Sequence, residues 1–394
     1  MTSCDTNDAS PRAATSLAGS VLLLGIADSM VGSYLVLFAS DQVGLDPFRV
    51  GVISSATAVG GIAVSWMLGR QFDRRPTRLY TVGVVLAGAV GLVLTSSATS
   101  FAVLLLLALT LLGGTAAAFP QLFAMARLVL GTGSTGQRSA PLLRSFWSAA
   151  WAIGPLLGAA VLSRAGYSGV LLVAAGILGL VALVTLTAPP PHGEAEEPQA
   201  DTSPGSPNRS AVAWFTVSVA LFFTAMFAGS VALPLYVTRS LDQAPSSVGV
   251  LFSICAAVEV MVALGLAAVP ARIGQRTAVL SGMVAFILYF GLLMLSESMP
   301  LLIAAQAARG YAIAVVGAAG IRFFQDLLAP AVGRATTLFS NASTAGSLVA
   351  GVLAGWSIGV LGYTTTLAWC GAIATTAAAA FIAGTAAHHA DDVT

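Results

Sequence analysis

The sequence predicts an all-α integral membrane protein with twelve transmembrane helices in two pseudo-symmetric six-helix bundles. Three observations predict it: an apolar composition, twelve hydrophobic runs, and a polar loop that occurs once in each half of the chain. The 394 residues are 57% hydrophobic and 8% charged, with a mean hydropathy of +0.89. Soluble domains carry roughly 25% charged residues, so this chain has too few charges to cover a surface that faces water.

The hydrophobic runs are each long enough for a bilayer crossing, which needs about 20 apolar residues. They occupy residues 17–40, 49–68, 79–97, 101–125, 141–163, 168–188, 212–238, 246–269, 277–296, 299–321, 336–361 and 364–387. The Pro- and Glu-rich segment between the sixth and seventh runs is typical of a solvated linker. We therefore expect an N-terminal tail (1–16), a bundle (17–188), a linker (189–211), a second bundle (212–387) and a C-terminal tail (388–394).

The polar loop after the second span, Gly69–Arg78 (GRQFDRRPTR), is echoed after the eighth span by Ala267–Arg276 (AAVPARIGQR). Repeats at half the chain length are typical of transporters built by duplication. The residues that carry the pattern are Gly69, Asp73, Arg74 and Arg78 in the first copy, and Arg272 and Arg276 in the second.

These loops are expected to act as a conformational latch. Asp73 can accept hydrogen bonds from a helix N-terminus, and the arginines can reach helix C-termini. Gly69 would permit close approach of the second and third helices. The alternative is that the arginines only set the topology.

Orientation follows from the distribution of arginine, because cytoplasmic loops are enriched in positive charge. All seventeen basic residues are arginines, which indicates a G+C-rich bacterial genome. With the N-terminus in the cytoplasm, the outside connections hold Arg49, Arg164 and Arg239, Arg309 lies within a span, and the other thirteen are inside. This predicts a multi-pass protein of the bacterial cytoplasmic membrane with both termini inside.

Four charged residues are candidates for charge inside the membrane: Asp28, Arg144, Glu259 and Arg309. Charge in hydrocarbon costs about 2.5–3.5 kcal/mol per residue on insertion scales, so such residues mark a bundle interior or a watery path. Asp28 and Glu259 are candidate proton carriers, and the alternative is that they only pair with the arginines. Arg144 and Arg309 are candidate substrate-binding residues, although Arg144 lies close enough to the interface to extend into the cytoplasm.

Polar side chains also recur on single helix faces. Thr337, Ser340, Asn341 and Thr344 follow the i, i+3, i+4, i+7 spacing of one face. Hydroxyl and amide groups in this arrangement suit a polyhydroxylated solute, and the alternative is hydrogen bonding between helices. Further candidates for substrate binding are Gln121 and Gln306, the latter one turn before Arg309.

The fifth span contains Gly154-Pro155-Leu-Leu-Gly158. The two glycines allow another helix to pack closely, and Pro155 bends the span. We expect this segment to act as a gate that governs how tightly the transport path seals, with packing alone as the alternative.

Other classes of function lack support in the sequence. The three histidines, His192, His388 and His389, lie outside the spans, so no metal cluster or Ser/His pairing within the membrane emerges. The net charge of +1 offers no basic stripe for nucleic acid. We expect no enzyme activity, no metal and no cofactor. A membrane receptor remains as the alternative outside transport.

Gly69-x-x-x-Asp73-Arg74-x-x-x-Arg78 resembles the signature loop of the major facilitator superfamily, with Pro76 where the family usually has glycine. Gly154-Pro155-x-x-Gly158 resembles the antiporter signature of that superfamily, which is associated with export. A narrower resemblance, to the bacterial sugar efflux transporter family, covers most of the chain. It rests on residues 120–127, on Arg144 with residues 151–155, on residues 324–328 and 335–339, and on Glu259 in the eighth span.

That resemblance implies the major facilitator fold, alternating access, and export of sugars or sugar-like compounds driven by the proton gradient, with the chain acting as a monomer in the lipid bilayer. Asp28 and Arg309 depart from the family pattern. The added charges leave open a charged substrate such as an aminoglycoside. A sugar uptake symporter is the other alternative within transport.

Overall fold

The computed structural model describes residues 11–130, 134–189, 209–268, 274–296, 298–329 and 332–391, and all regular structure in these ranges is helical. The helices are α1 (Pro11–Leu37, continued by a π-helical turn, Phe38–Gln42), α2 (Pro47–Arg74), α3 (Arg78–Ser96), α4 (Phe101–Leu107, a π-helical turn at Ala108–Leu112, then Gly113–Thr115), α5 (Ala118–Leu130), α6 (Ser134–Thr187), α7 (Arg209–Arg239), α8 (Ser246–Ala268), α9 (Gln275–Met294), α10 (Met299–Leu327), α11 (Val332–Leu361) and α12 (Tyr363–Asp391).

Eleven helical stretches in the described residues are long and apolar enough to cross a membrane. The longest, Leu143–Thr187, has 45 residues, roughly twice the length that one crossing needs. The sequence predicts two separate spans here, whereas the structure has one continuous helical segment. Gly166 interrupts it with φ 66° and ψ −172°, a conformation that glycine adopts without the steric cost of a Cβ. The chain is a multi-pass membrane protein.

The helices extend beyond the hydrophobic runs at the start of each predicted bundle. α1 begins at Pro11, six residues before the predicted span, and α7 begins at Arg209 within the predicted linker. Hydrophobic runs measure the part of a helix that lies in hydrocarbon, whereas the backbone hydrogen-bonding pattern continues into polar sequence.

The chain divides into two compact units, one comprising Met1–Leu35 with Ala56–Glu197 and the other comprising Val36–Ser55 with Pro198–Thr394. Glycines allow the helices of the first unit to pack closely. A Cβ on Gly88 of α3 would lie 2.2 Å from the Cγ2 of Thr115. A Cβ on Gly60 of α2 would lie 2.5 Å from the carbonyl oxygen of Leu109. Such close backbone approach is how helices pack where burial of apolar surface supplies little driving force.

The second unit has an aromatic core between α7 and α9. Phe222 packs against Phe286 with ring centroids 4.6 Å apart, and Phe286 packs against Phe290 at 5.0 Å. The hydroxyl of Tyr236 on α7 donates to the carbonyl of Leu293, 3.0 Å away on α9. Large rings fill the bundle here and fix the positions of the helices that carry the polar cluster described below.

The start of α2 belongs to the second unit and packs against α11 through glycines. A Cβ on Gly51 would lie 2.1 Å from the carbonyl oxygen of Gly351. The backbone N–H of Val352 donates to Ser55 Oγ at 3.1 Å. These contacts leave no room for a side chain at Gly51 or Gly351.

Large apolar side chains cover much of the exposed surface. Leu79, Leu183, Val284 and Leu295 are each more than 60% exposed. Large apolar side chains with this degree of exposure are expected where the surface faces lipid.

Candidate functional site

A cavity of ≈ 810 Å³ lies within the second unit, at the N-terminal ends of α7 and α11. Its polar lining comprises Thr216, Thr337 and Asn341, and two arginines, Arg209 and Arg334, also face it. An α-helix has 3.6 residues per turn, so Thr337 and Asn341 lie one turn apart on a single face of α11. The structure thus brings together two residues that were selected from their spacing.

The remaining members of the predicted binding set have other environments. Thr344, further along α11, is half-buried and does not line this cavity. In the first unit, Gln121 is 3% exposed, and its Oε1 has no hydrogen-bond partner among the described residues. Arg144 in α6 is exposed.

A polar cluster surrounds Arg309 in the interior of the second unit. Arg309 is only 5% exposed, and its Nη2 donates to Ser230 Oγ of α7 at 2.5 Å. Its guanidinium carbon lies 5.2 Å from the ring centroid of Phe252 and 5.7 Å from that of Tyr289. Gln306, one turn earlier on α10, is fully buried. Four helices therefore contribute to the surroundings of one buried cation.

Close packing of α8 against α10 holds this cluster in place. A Cβ on Gly310, next to Arg309, would lie 2.3 Å from the carbonyl oxygen of Cys255 on α8. Cys255 lies within electrostatic range of both Arg309 and Glu259. Glu259, one turn beyond Cys255, is half-buried. The predicted proton carrier of the second unit and the buried arginine thus share a neighbour.

Asp28 lines a smaller cavity, of ≈ 120 Å³, inside the first unit. Gly32 follows it on α1, and the hydroxyl-bearing residues Thr57 and Thr115 face the same space. The other described lining residues are apolar, mainly leucine. A cavity of this size accommodates a few water molecules, which need polar partners of this kind.

The predicted gate segment packs directly against α1. A Cβ on Gly154 would lie 1.9 Å from Ser29 Oγ, and one on Gly158 would lie 2.6 Å from the ring of Tyr34. The hydroxyl of Tyr34 donates to the carbonyl oxygen of Pro155 at 3.2 Å. The small residues of this segment therefore set the distance between α1 and α6.

In the first copy of the repeated loop, Arg78 donates to the carbonyl oxygens of Leu186, at 2.8 Å, and Ala188 at the C-terminus of α6. This is the type of contact expected of the loop arginines, since helix C-termini carry unpaired carbonyls. Arg74 is exposed at the end of α2. Gly69 differs from expectation: an added Cβ there would meet no described atom within 4 Å, so the close helix approach predicted at this glycine is wrong.

The second copy is described only in part. Arg276 is exposed in the first turn of α9. Arg272 and the side chain of Asp73 lie outside the described residues.

Several residues of these sites were not selected from the sequence: Ser230, Phe252 and Tyr289 around Arg309, and Arg209 and Arg334 at the large cavity. Their residue types are ordinary for membrane helices and helix ends. A polar side chain within an apolar span could have drawn attention to some of them. The sequence does not show which helix faces Arg309.

Comparison with known proteins identifies the family. The family model described as Major Facilitator Superfamily matches residues 17–269. The chain belongs to the Major Facilitator Superfamily. Within this superfamily it belongs with the proteins named sugar efflux transporters. One, from Deinococcus radiodurans, is 35% identical over 91% of this chain and 95% of its own length. Sugar efflux transporter A of Escherichia coli is 28% identical over 84% of this chain and 86% of its own length.

Solved structures show the same fold. A crystal structure of a mutant of the nucleoside transporter NupG matches with a TM-score of 0.81 over 94% of this chain and 99% of its own. The sequences are 17% identical, so this similarity bears on the fold alone. Membership of the superfamily makes the chain a transporter of small molecules and not an enzyme.

Proposed function

We propose that this major facilitator protein exports sugars or sugar-containing compounds across the bacterial cytoplasmic membrane, in exchange for protons, by alternating access. The observation that carries the proposal is similarity along nearly the whole chain to relatives named sugar efflux transporters. The cavity that contains Thr337 and Asn341 adds hydroxyl and amide groups suited to sugar hydroxyls. The Gly154-Pro155-x-x-Gly158 segment, with its resemblance to the antiporter signature, favours export over uptake.

The proposed architecture is twelve spans in two bundles, 17–188 and 212–387, joined by the linker 189–211. The break at Gly166 supports two spans within α6, because one helix of that length exceeds a bilayer. The arginine distribution supports cytoplasmic termini and a cytoplasmic linker. We propose a monomer, as the family resemblance implies.

In the proposed cycle a proton enters from the outside onto Glu259 or Asp28 and leaves to the cytoplasm, while sugar moves outward. Asp28 faces an internal cavity with two threonine hydroxyls, and Glu259 is half-buried within an apolar helix. Both settings suit a carboxyl group that changes protonation during transport. Substrate contacts are assigned to Gln121, Arg144, Gln306, Arg309, Thr337, Asn341 and Thr344.

Two further parts of the chain would control the conformational change. The repeated loops (Gly69, Asp73, Arg74 and Arg78; Arg272 and Arg276) would latch one state, and the bond from Arg78 to the end of α6 supports such a role. The segment Gly154, Pro155 and Gly158 would set the packing of α6 against α1.

The experiment that tests this function measures loss of labelled sugar from preloaded cells at an imposed pH gradient. We expect expressing cells to lose label faster than vector controls, and Glu259→Gln or Asp28→Asn to remove the dependence on the gradient. Asp242→Asn, at an exposed carboxylate, is the matched control and should retain it. Accumulation of label would instead establish uptake. Full gradient-driven export in both test variants would refute the proton assignment.

A further inference from the structure

The cluster around Arg309 contains an unusual concentration of unpaired polar atoms. Nine buried side-chain nitrogen or oxygen atoms of the described residues have no hydrogen-bond partner, and five of them belong to Tyr289, Gln306 and Arg309. Natural proteins pair nearly all such atoms. A concentration of such atoms in one place marks a cluster of side chains that can bind a polar ligand.

The polar cluster also contains a buried positive charge, that of Arg309. A guanidinium stays protonated in proteins, and two of its three nitrogens, Nε and Nη1, lack partners here. Among the described residues, no carboxylate oxygen lies within ion-pair distance of it. The contacts with Phe252 and Tyr289 attract the cation, but they leave its hydrogen-bond donors unused. Burying an unneutralised charge is costly, so a negative partner would stabilise Arg309.

The neighbouring groups offer further contacts for the same partner. The hydroxyl of Tyr289 faces the amide of Gln306 without forming a hydrogen bond of good geometry. Both atoms of the Gln306 amide are unpaired. A hydroxyl, an amide and an aromatic ring beside a cation suit a sugar ring that also bears an anionic group.

The large cavity of the same unit has the same sign of charge. Arg209 and Arg334 face it, and no carboxylate is among the described residues that line it. A cavity with this lining attracts anions and disfavours cations such as aminoglycosides. This observation is independent of the environment of Arg309.

We propose that the sugar carried by this protein bears a carboxylate, as in a uronic acid, and that Arg309 binds that carboxylate with support from Ser230, Gln306 and Tyr289. The inference rests on the proposed function as a sugar exporter and specifies its substrate class. One unneutralised positive charge matches the single charge of a carboxylate. A neutral sugar can accept hydrogen bonds from the guanidinium but leaves its charge unneutralised.

The test compares two pairs of sugars that differ only at C6: glucose with glucuronate, and galactose with galacturonate. Calorimetric titration into the purified full-length protein should show at least one acidic sugar binding about 10-fold or more tightly than its neutral counterpart. Arg309→Gln should abolish that preference, and Arg309→Lys should retain part of it, since the charge remains while the planar donor array is lost. Arg322→Gln, which removes a charge from the same helix, should leave the preference unchanged.

Thermal unfolding separates loss of binding from loss of folding. Without ligand, Arg309→Gln should unfold at the same temperature as the wild-type protein or higher, because an unneutralised buried charge has been removed. The acidic sugar should raise the unfolding temperature of the wild type only. A sharp fall in the unfolding temperature of unliganded Arg309→Gln would assign Arg309 to structure and overturn the proposal.

The other outcomes are equally distinct. If neutral sugars bind and are exported as well as acidic ones, the carboxylate assignment fails while sugar export stands. The assignment also fails if the acidic preference survives in Arg309→Gln. If no sugar of either pair binds or is transported, the result counts against both the substrate class and sugar export.

Discussion

Substituting alanine for Gly154 places a methyl group where α6 and α1 have no room for one. The new Cβ would lie 1.9 Å from Ser29 Oγ and 2.8 Å from the carbonyl oxygen of Ile26. Rotation of Ser29 relieves the first overlap. The backbone oxygen of Ile26 has no such freedom, so the two helices must move apart by a few tenths of an ångström or more.

The expected effect on stability follows from three contributions. Overpacking of a tight contact costs about 1–3 kcal/mol. Ser29 Oγ is 3.3 Å from the carbonyl oxygen of Ala150, and losing this hydrogen bond costs about 1 kcal/mol. Alanine offsets part of this because it favours a helix over glycine by about 1 kcal/mol. The net change in the free energy of unfolding is a loss of about 1–3 kcal/mol.

The assay is equilibrium unfolding of the purified protein in mixed detergent micelles. Gly176→Ala is the matched control, since it changes the same helix at a site with no described atom within 4 Å of the new Cβ. It should stabilise the protein by about 0.5–1 kcal/mol. Equal stability of Gly154→Ala and Gly176→Ala would refute the packing argument.

Three further predictions concern the loop, the cavity and the glycine crossing. Arg78→Gln should reduce the free energy of unfolding by about 1–2 kcal/mol, because its hydrogen bonds to the end of α6 are lost. Arg75→Gln, at an exposed arginine, should leave the free energy of unfolding unchanged. Similar losses in the two variants would refute the capping role of Arg78. Asn341→Ala should weaken sugar binding about 5-fold by calorimetry, as expected for one lost hydrogen bond; unchanged affinity would remove Asn341 from the site. Gly351→Ala should lower the unfolding temperature and the transport rate because its Cβ would lie 2.5 Å from a backbone oxygen. Gly359→Ala, on the same helix but with no described atom within 4 Å of the new Cβ, should preserve both.

The helical, membrane-spanning character of the chain could be predicted because the length of an apolar run is a local property. The position of Thr337 and Asn341 on one face of α11 could be predicted for the same reason, because helical periodicity alone places them there. Gly154 was identified as a packing residue from its spacing to Gly158. Its partner on α1, Ser29, depends on how two distant segments cross, which the sequence does not encode locally.

The surroundings of Arg309 were beyond sequence reasoning. Ser230, Phe252 and Tyr289 come from three different helices, and their approach to Arg309 is decided by tertiary packing. Gly69 illustrates the opposite error. A glycine in a repeated motif suggested close helix contact, yet an added Cβ there would meet no described atom within 4 Å. A glycine permits close packing of another helix, but its presence in the sequence does not show that a helix packs there.

The central claim, sugar export coupled to protons, is tested most directly by the movement of protons that sugar induces in proteoliposomes. A pH-sensitive dye in the lumen reports while sugar is added outside without any other gradient. Antiport predicts that entering sugar drives protons out, so the lumen becomes alkaline, and that Glu259→Gln and Asp28→Asn abolish the signal. Acidification of the lumen would establish symport, and sugar entry without any pH change would show transport without proton coupling. Either result would contradict the account.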